Sequence, residues 1–291
     1  MKILMFGWEF PPHISGGLGT ACYGLTKAMT KQDLEIIFIV PKAWGDEDQS
    51  LVKLVGANNI PVRIKKYSFR DESIKKAHNV QYVEIGSDLI PYVSTEEYYN
   101  IINNRVNTTK QLKQYTHTQE LDTITFEGGY GGSLIHEVGA YARVARQIAQ
   151  EFDFDIIHAH DWLTYDAGIA AKEVSGKPLV IHVHATEFDR SGMHVNQFVY
   201  DIERRGMHAA DAIITVSNLT KSTVVNNYGV SESKVTTAYN GVDDVQLSTP
   251  QKFKKNVDDK IVTFLGRITF QKGPEYFLEA AAKVLQRKKN V

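Results

Sequence analysis

Short apolar runs that alternate with helical patterns constrain the fold of this chain more than any other feature. Each run suits a strand buried on both faces, and each is followed by a turn and by apolar residues at helical spacing. The strand-like runs are residues 2–7, 35–40, 155–158, 179–184, 212–217 and 261–266. The helical patterns are residues 18–31, 135–150, 166–173, 196–210, 219–227 and 274–288. This alternation predicts an α/β fold with a parallel sheet.

Residues 41–130 follow this alternation less regularly. Residues 62–67 and 80–85 alternate in polarity, and residues 100–123 are polar and rich in Asn and Thr. We interpret the stretch as a solvated insertion that carries a hairpin and peripheral helices. The alternative is that its asparagines and tyrosines form a surface that contacts sugar.

A change of composition near residue 246 indicates a domain boundary. Residues 246–260 contain Pro250 with several lysines and aspartates, as a linker would. We therefore predict a first domain at 1–245, a linker at 246–260 and the start of a second Rossmann-like domain at 261–291. One strand and one helix are too small to bury an independent core, so we expect this second domain to be incomplete here.

Charge and cysteine content exclude several classes of protein. The formal net charge of −1 gives no field that would attract nucleic acid or an anionic membrane. Cys22 is the one cysteine, so no internal disulfide forms, which suits a reducing compartment. Glu9 and two prolines interrupt the first apolar run before it reaches the length of a signal-peptide core, and no run approaches the ~20 apolar residues of a membrane span. We expect a cytoplasmic protein.

A glycine-rich loop, Gly16-Gly17-Leu18-Gly19, follows the first strand and opens a helix. Glycines allow close backbone approach, and a helix N-terminus offers N–H groups and a positive dipole to a phosphate. The spacing differs from that of the Walker loop and of GxGxxG. The loop therefore predicts a pyrophosphate contact, with a plain turn as the alternative.

Two His-x-His pairs leave neighbouring buried strands. His158 and His160 lie on one side of an extended strand and are followed by Asp161, and His182 and His184 leave the next strand. Side chains at such strand ends commonly form the site of an open α/β sheet. Imidazole is also a common zinc ligand, so a metallohydrolase is the rival interpretation. No third His closes the first motif, and we predict neither a metal nor a cofactor.

A basic loop follows the last predicted strand. Arg267 and Lys272 occupy residues 266–273, whose sequence is GRITFQKG. Two fixed cations at this spacing would neutralise a diphosphate leaving group. The alternative is an ordinary basic loop on a solvated surface.

Taken in order, these motifs resemble those of the glycogen and starch synthases and of their retaining relatives with the GT-B fold. The matching runs are residues 8–19, 158–162, 211–217, 240–243 and 266–273. In that family two Rossmann-like domains face each other across a cleft. The first domain mainly holds the acceptor sugar and the second mainly holds the nucleotide sugar.

The resemblance implies a role for each matching residue. His160 would contact the donor hexose near the reacting carbon, and Arg267 and Lys272 would contact the diphosphate. The donor-binding set would be Gly16, Gly17, Gly19 and Glu9, where Glu9 matches a family acid near the cleft or only orders its loop. Further cleft residues would be Asp161, His184 and Asn240.

Two departures from the family limit what the resemblance implies. Ile14 stands where many bacterial synthases have a phosphate-contacting lysine, so that contact is not carried over. The family's second-domain carboxylate motif and nucleoside-binding residues have no counterpart before Val291. We therefore expect the isolated chain to be inactive and leave its oligomeric state open.

For a complete enzyme, the resemblance implies retaining hexosyl transfer from ADP-glucose or UDP-glucose to an α-glucan. One alternative is a transferase of the same fold that acts on another acceptor. A second alternative is a non-catalytic fragment that binds glucan or nucleotide sugar.

Overall fold

The computed structural model describes residues 1–14, 16–47, 49–68, 83–84, 116–241 and 260–288. In chain order the strands are β1 (Lys2–Phe6), β2 (Glu35–Val40), β3 (Lys53–Gly56), β4 (Pro61–Ser68), β5 (Val83–Glu84), β6 (Thr116–Thr123), β7 (Ile156–His160), β8 (Leu179–Val183), β9 (Ala212–Thr215) and β10 (Val235–Thr237). The α-helices are α1 (Gly17–Met29), α2 (Leu134–Glu151), α3 (Trp162–Ser175), α4 (Glu187–Ser191), α5 (Gln197–Ala209), α6 (Asn218–Tyr228) and α7 (Pro274–Arg287).

A seven-stranded parallel sheet organises residues 2–237, which confirms the predicted α/β fold class. Its strand order is β10-β9-β8-β7-β1-β2-β3. From β1 the chain runs outward through β2 to β3, and it returns at β7 on the other side of β1. The direction of winding therefore reverses between β1 and β7. Ligands of open α/β sheets bind outside the carboxyl ends of the strands at such a reversal.

Alternation along the strands divides the core into two layers. Leu4 and Phe6 of β1 pack with α2 and α3 on one face, whereas Ile3 and Met5 pack with α1 on the other. The buried Tyr141 of α2 donates its hydroxyl to the carbonyl oxygens of residues 7 and 39, at 3.1 and 2.8 Å. This side chain therefore joins α2 to the carboxyl ends of β1 and β2.

The predicted hairpin within residues 41–130 corresponds to a small antiparallel sheet of order β5-β4-β6. Strand β6 pairs with all eight residues of β4, from Pro61 opposite Thr123 to Ser68 opposite Thr116. Strand β6 was not predicted, because its sequence is polar and shows no apolar alternation. It forms a strand because its backbone pairs with β4. Residues 69–82 and 85–115, where peripheral helices were expected, lie outside the described residues, as do 246–259 of the expected linker.

The strand predicted at residues 261–266 is wrong. These residues form no regular structure, and Ile261, Val262 and Leu265 are exposed. No described strand lies beside them to accept their backbone hydrogen bonds, and an apolar run without such a neighbour does not become a strand. Helix α7 forms as predicted, with no buried residue. Within the described segments, no helix is both long and apolar enough to cross a membrane.

Candidate functional site

The first turn of α1 lies against the loop that follows β1. A Cβ added to Gly19 would lie 2.6 Å from Cγ2 of Ile14 and 3.0 Å from Oε2 of Glu9. Only a residue without a side chain allows this approach without a shift of the loop. The half-exposed Tyr130 donates its hydroxyl to the Glu9 carboxylate, so Glu9 is fixed from two sides.

The N-terminus of α1 is open on the other side. Gly16 is its extended N-cap, no described side chain caps it, and its first turn carries no acidic residue. A Cβ added to Gly16 or to Gly17 would meet nothing within 4 Å. Free first-turn amides and the positive end of the helix dipole favour an anion at this point. The phosphate contact at Gly16, Gly17 and Gly19 stays a prediction.

Four imidazoles gather at the carboxyl ends of β7 and β8. On these strands the residues that face α2 and α3 are aliphatic, whereas His158, His160 and His182 face the α1 side. The ring centroids of His158 and His160 are 4.3 Å apart, and those of His160 and His182 are 5.2 Å apart. His184 follows β8, and its Nε2 lies 3.0 Å from Nδ1 of His160, at hydrogen-bond distance.

All four imidazoles are held neutral. Burial lowers the pKa of His158 and of His182 to about 3 and that of His184 to about 4, and it lowers the pKa of His160 well below its usual value. The neighbouring imidazoles add to the shifts of His158, His160 and His182, because two adjacent imidazolium ions would repel each other. Nε2 of His160 has no hydrogen-bond partner among the described residues. The imidazole is fully buried, so a ligand would reach this nitrogen only after neighbouring groups move.

Asp161 fixes the loop after β8 beside the end of β7. Its Oδ1 accepts hydrogen bonds from the backbone amides of His184, at 2.7 Å, and Ala185, at 3.3 Å. Burial raises the pKa of Asp161 to about 6, against the opposing influence of Arg190 and these amides. Its backbone, with φ 58° and ψ 170°, lies in a region that strains a residue with a side chain. Strain of this kind persists where the surroundings hold the residue in place.

A buried ion-pair network also holds the loop that follows β8. Arg190 donates to Oε1 of Glu203 at 2.8 Å and to the carbonyl oxygen of Ala185 at 3.0 Å. The other oxygen of Glu203 accepts from the amide of Glu187 and from the hydroxyl of Tyr228. Helices α4, α5 and α6 are thereby joined around the loop that carries His184.

The remaining predicted site residues lie apart from this cluster. Arg267 and Lys272 are exposed, and neither side chain forms an ion pair with the described part of the chain. Their loop contacts the first domain through Phe270, whose ring would lie 3.0 Å from a Cβ on Gly192 after α4. Asn240 is exposed beyond β10, three strand spacings or about 14 Å from β7.

Sequence reasoning missed Cys22 and Tyr130. Cys22 of α1 is buried close to His160 and His184, and burial raises the pKa of its thiol, as do Asp161 and Glu9. No motif marks either residue, because long-range packing brings both of them to the site.

The imidazole cluster also bears on the metallohydrolase interpretation. His182 supplies a third imidazole near His158 and His160, with ring nitrogens within 4.8 Å of one another, which the spacing along the chain did not indicate. However, the rings of His158 and His182 are stacked at an interplanar angle of 4°. Stacked rings turn their faces to each other, whereas zinc ligands direct nitrogen lone pairs at one point. The absence of a metal remains our prediction.

Comparison with known proteins finds similarity to glycosyltransferases. Residues 120–246 match the family model of Glycosyltransferase Family 4. The chain is 27% identical to an uncharacterized glycosyltransferase of Methanocaldococcus jannaschii, over 99% of this chain and 60% of that protein. It is 21% identical to the glycogen synthase of Mycobacterium tuberculosis, over 94% of this chain and 56% of that protein. The solved structure of TarM matches with a TM-score of 0.57 at 10% identity, covering 100% of this chain and 70% of that one.

Residues 120–246 are thus similar to Glycosyltransferase Family 4, and the α/β fold matches GT-B glycosyltransferase structures. The chain as a whole is a homologue of glycosyltransferases. It spans somewhat more than half the length of these curated relatives. An identity of 21% to glycogen synthase does not by itself fix the acceptor.

Substitution of three glycines of α1 separates packing from ligand contact. Gly19→Ala should lower the free energy of unfolding by about 1–3 kcal/mol, because Ile14 and Glu9 must move. Gly17→Ala should not lower it, but should weaken binding of UDP-glucose and ADP-glucose. Gly24→Ala, on the same helix with nothing within 4 Å of its Cβ, is the control and should stabilise by about 0.5–1 kcal/mol without changing binding.

Chemical denaturation and calorimetric titration measure the two effects. If a folded Gly17→Ala variant binds nucleotide sugar with unchanged affinity, the phosphate does not contact the first turn of α1.

The imidazole cluster should make stability depend on pH. The folded-state pKa values of these histidines lie below the unfolded value of 6.5, so the unfolded chain binds more protons between about pH 3 and 6.5. The stability contributed by the neutral imidazoles is complete above pH 6.5 and is lost as the pH falls toward 3. The raised pKa values of Asp161 and Glu203, both caused first by burial, act in the opposite direction and offset only part of this loss.

We therefore expect a lower free energy of unfolding at pH 5 than at pH 7.5, measured by urea denaturation. His182→Asn should make this pH dependence shallower by about one proton. Equal dependence in the two proteins would show that His182 is not buried in its neutral form.

Proposed function

We propose that this chain is the acceptor-side half of a retaining glycosyltransferase that transfers a hexosyl group from ADP-glucose or UDP-glucose to an α-glucan. One observation carries the proposal. The open N-terminus of α1 and the neutral His160, whose Nε2 has no partner among the described residues, both belong to the carboxyl edge of the sheet where its winding reverses. A phosphate and an uncharged sugar are the two groups that these two features suit.

The charges of the site match the parts of a nucleotide sugar. First-turn amides of α1, which carry partial positive charge, would stabilise negative charge on the departing diphosphate. His160, whose pKa is far below neutrality, would exchange hydrogen bonds with hexose hydroxyls without acting as an acid. Its proposed role is to orient the hexose so that the anomeric carbon faces the acceptor.

The proposed reaction needs no metal and no protein nucleophile. The bond between the anomeric carbon and the diphosphate oxygen breaks, and a bond to the acceptor hydroxyl oxygen forms on the same face. The hydroxyl proton passes to the departing diphosphate oxygen. Asp161, the carboxylate next to His160, is occupied by two backbone amides, which supports a structural role for it. Arg267 and Lys272 would add charge stabilisation once their loop faces the cleft.

Two further functions remain open. The first is transfer to another acceptor by the same chemistry, which the 27% identity to a glycosyltransferase of unstated acceptor supports equally well. The second is binding of glucan or nucleotide sugar without catalysis.

His160 and His158 provide a matched test in a full-length version of the protein. Both imidazoles are buried in the same cluster, but His160 ends β7 and His158 lies two residues earlier. His160→Ala should lower kcat about 10²–10³-fold, because the contact it makes is to the reacting sugar, and should lower Tm about as much as His158→Ala does, because both imidazoles are buried. His158→Ala should remove similar packing with a much smaller effect on kcat.

Transfer of radiolabelled glucose to glycogen and thermal melting give the two measurements. A large fall in Tm with an equal fall in kcat for both variants would make His160 a core residue and contradict the proposal.

A further inference from the structure

The imidazole cluster is closed on the side of α1. His160 is fully buried, and the Cys22 sulfur and one ring nitrogen each of His160 and His184 lie within 4.8 Å of one another. Cys22 is 1% exposed and belongs to the regular part of α1, so it does not move aside by itself. A hexose therefore reaches His160 only if another group on this side of the sheet opens a path.

The hydroxyl of Tyr130 stands next to this closed region. It donates a hydrogen bond to Glu9, whose Oε2 would lie 3.0 Å from a Cβ on Gly19, one helical turn before Cys22 on the same face of α1. Burial raises the pKa of Tyr130 most, and the Glu9 carboxylate raises it further. Asp161 and Cys22 add smaller shifts in the same direction, so both lie within electrostatic reach of the hydroxyl. The hydroxyl end of this half-exposed side chain therefore lies over the imidazole cluster.

Glycines surround Tyr130 in the chain. Two precede it and two follow it, in residues 128–132. Gly128 has a φ of 74°, and a Cβ added to Gly129 or to Gly132 would meet nothing within 4 Å. Backbone without Cβ atoms changes its dihedral angles at low steric cost. Tyr130 can therefore swing outward without displacing packed neighbours.

The glycine segment is fixed at both ends. The amide of Gly128 donates to the buried Glu137 at 3.0 Å, and the amide of Leu134 donates to the carbonyl oxygen of Gly131 at 3.1 Å. Motion is thereby limited to the few residues between these bonds, as in a hinge. The swing of Tyr130 breaks its bond to the carboxylate. Loss of one such bond corresponds to an open state in roughly 1–10% of chains.

We propose that Tyr130 is a gate over the imidazole cluster, closed by its hydrogen bond to Glu9 and opened by rotation about the flanking glycines. The inference rests on the function proposed above and adds control of entry to the same site. In the closed state the gate keeps water from the imidazoles, and in the open state a hexose hydroxyl can reach Nε2 of His160. Because Glu9 also lies against the first turn of α1, the gate and the candidate phosphate contact share this residue.

Alkylation of Cys22 measures the opening, because this thiol is the one cysteine of the chain and lies beside His160. N-ethylmaleimide is added to the 291-residue chain, and the modified fraction is followed by mass spectrometry. The rate is the open population multiplied by the rate of an accessible thiol. We expect slow alkylation whose rate does not change at low urea concentrations, since the swing of one side chain exposes little surface.

Three variants and a control test the gate. Tyr130→Ala should react about 10–100-fold faster, because a gate that is open in roughly 1–10% of chains becomes permanently open. Tyr130→Phe, which keeps the ring and lacks the hydroxyl, should react about 3–10-fold faster. Gly129→Ala should react about 2–5-fold slower, because a Cβ fits the closed state and restricts the open one. Tyr276→Ala, an exposed aromatic of α7, should leave the rate unchanged.

Two results would overturn the inference. The first is alkylation of Tyr130→Ala at the rate of the unaltered chain. The second is an alkylation rate that rises with urea as steeply as global unfolding does, since Cys22 would then be reached by unfolding of the domain. A faster rate in Tyr130→Ala that stays independent of urea supports the gate over a loss of stability.

Addition of UDP-glucose separates the inference from the proposed function. A hexose at His160 would cover Cys22, so saturating UDP-glucose should slow alkylation. If the variants behave as expected and UDP-glucose binds without slowing alkylation, the gate stands and the contact of the hexose with His160 fails. If UDP-glucose slows alkylation but Tyr130→Ala and the unaltered chain react alike without it, the donor contact stands and the gate fails.

Discussion

Burial of four neutral imidazoles at the ends of β7 and β8 is the constraint on which the rest of the site depends. Burial lowers the pKa of His158 and His160, and no described carboxylate raises it, so burial favours the neutral form. The hydrogen bond between His160 and His184 then requires the loop after β8 to stay beside β7. The carboxylate of Asp161 fixes that loop by accepting hydrogen bonds from the loop's backbone amides. The network of Arg190 and Glu203 holds the same loop.

The two surfaces next to the imidazole cluster differ in charge. Helix α1 presents partial positive charge at Gly17, and the loops after β1 and β2 present carboxylates to an adjacent cavity. Glu9 lies between the two, held by Tyr130 and against the position of Gly19. These two surfaces therefore favour ligand groups of different charge.

Much of the fold could be predicted because strands of a buried parallel sheet have continuous apolar sequences. The β3 and β10 strands were not predicted because they are short and lie at sheet edges, and the run at 261–266 was wrongly predicted because a strand also needs a neighbour. The glycines of α1 and His160 could be associated in advance, since carboxyl ends of parallel strands share one edge. Tyr130 reaches the site through tertiary packing, which no local pattern encodes.

The central claim is that the hexose of a nucleotide sugar contacts a neutral His160. Nuclear magnetic resonance of the chain labelled with ¹⁵N in its imidazoles measures both parts of the claim at pH 7. The account predicts neutral tautomers for all four clustered histidines and a change in the His160 Nε2 resonance as UDP-glucose or ADP-glucose is added. Either a protonated imidazole in the cluster or a His160 resonance that stays unchanged while nucleotide sugar saturates the protein would contradict it.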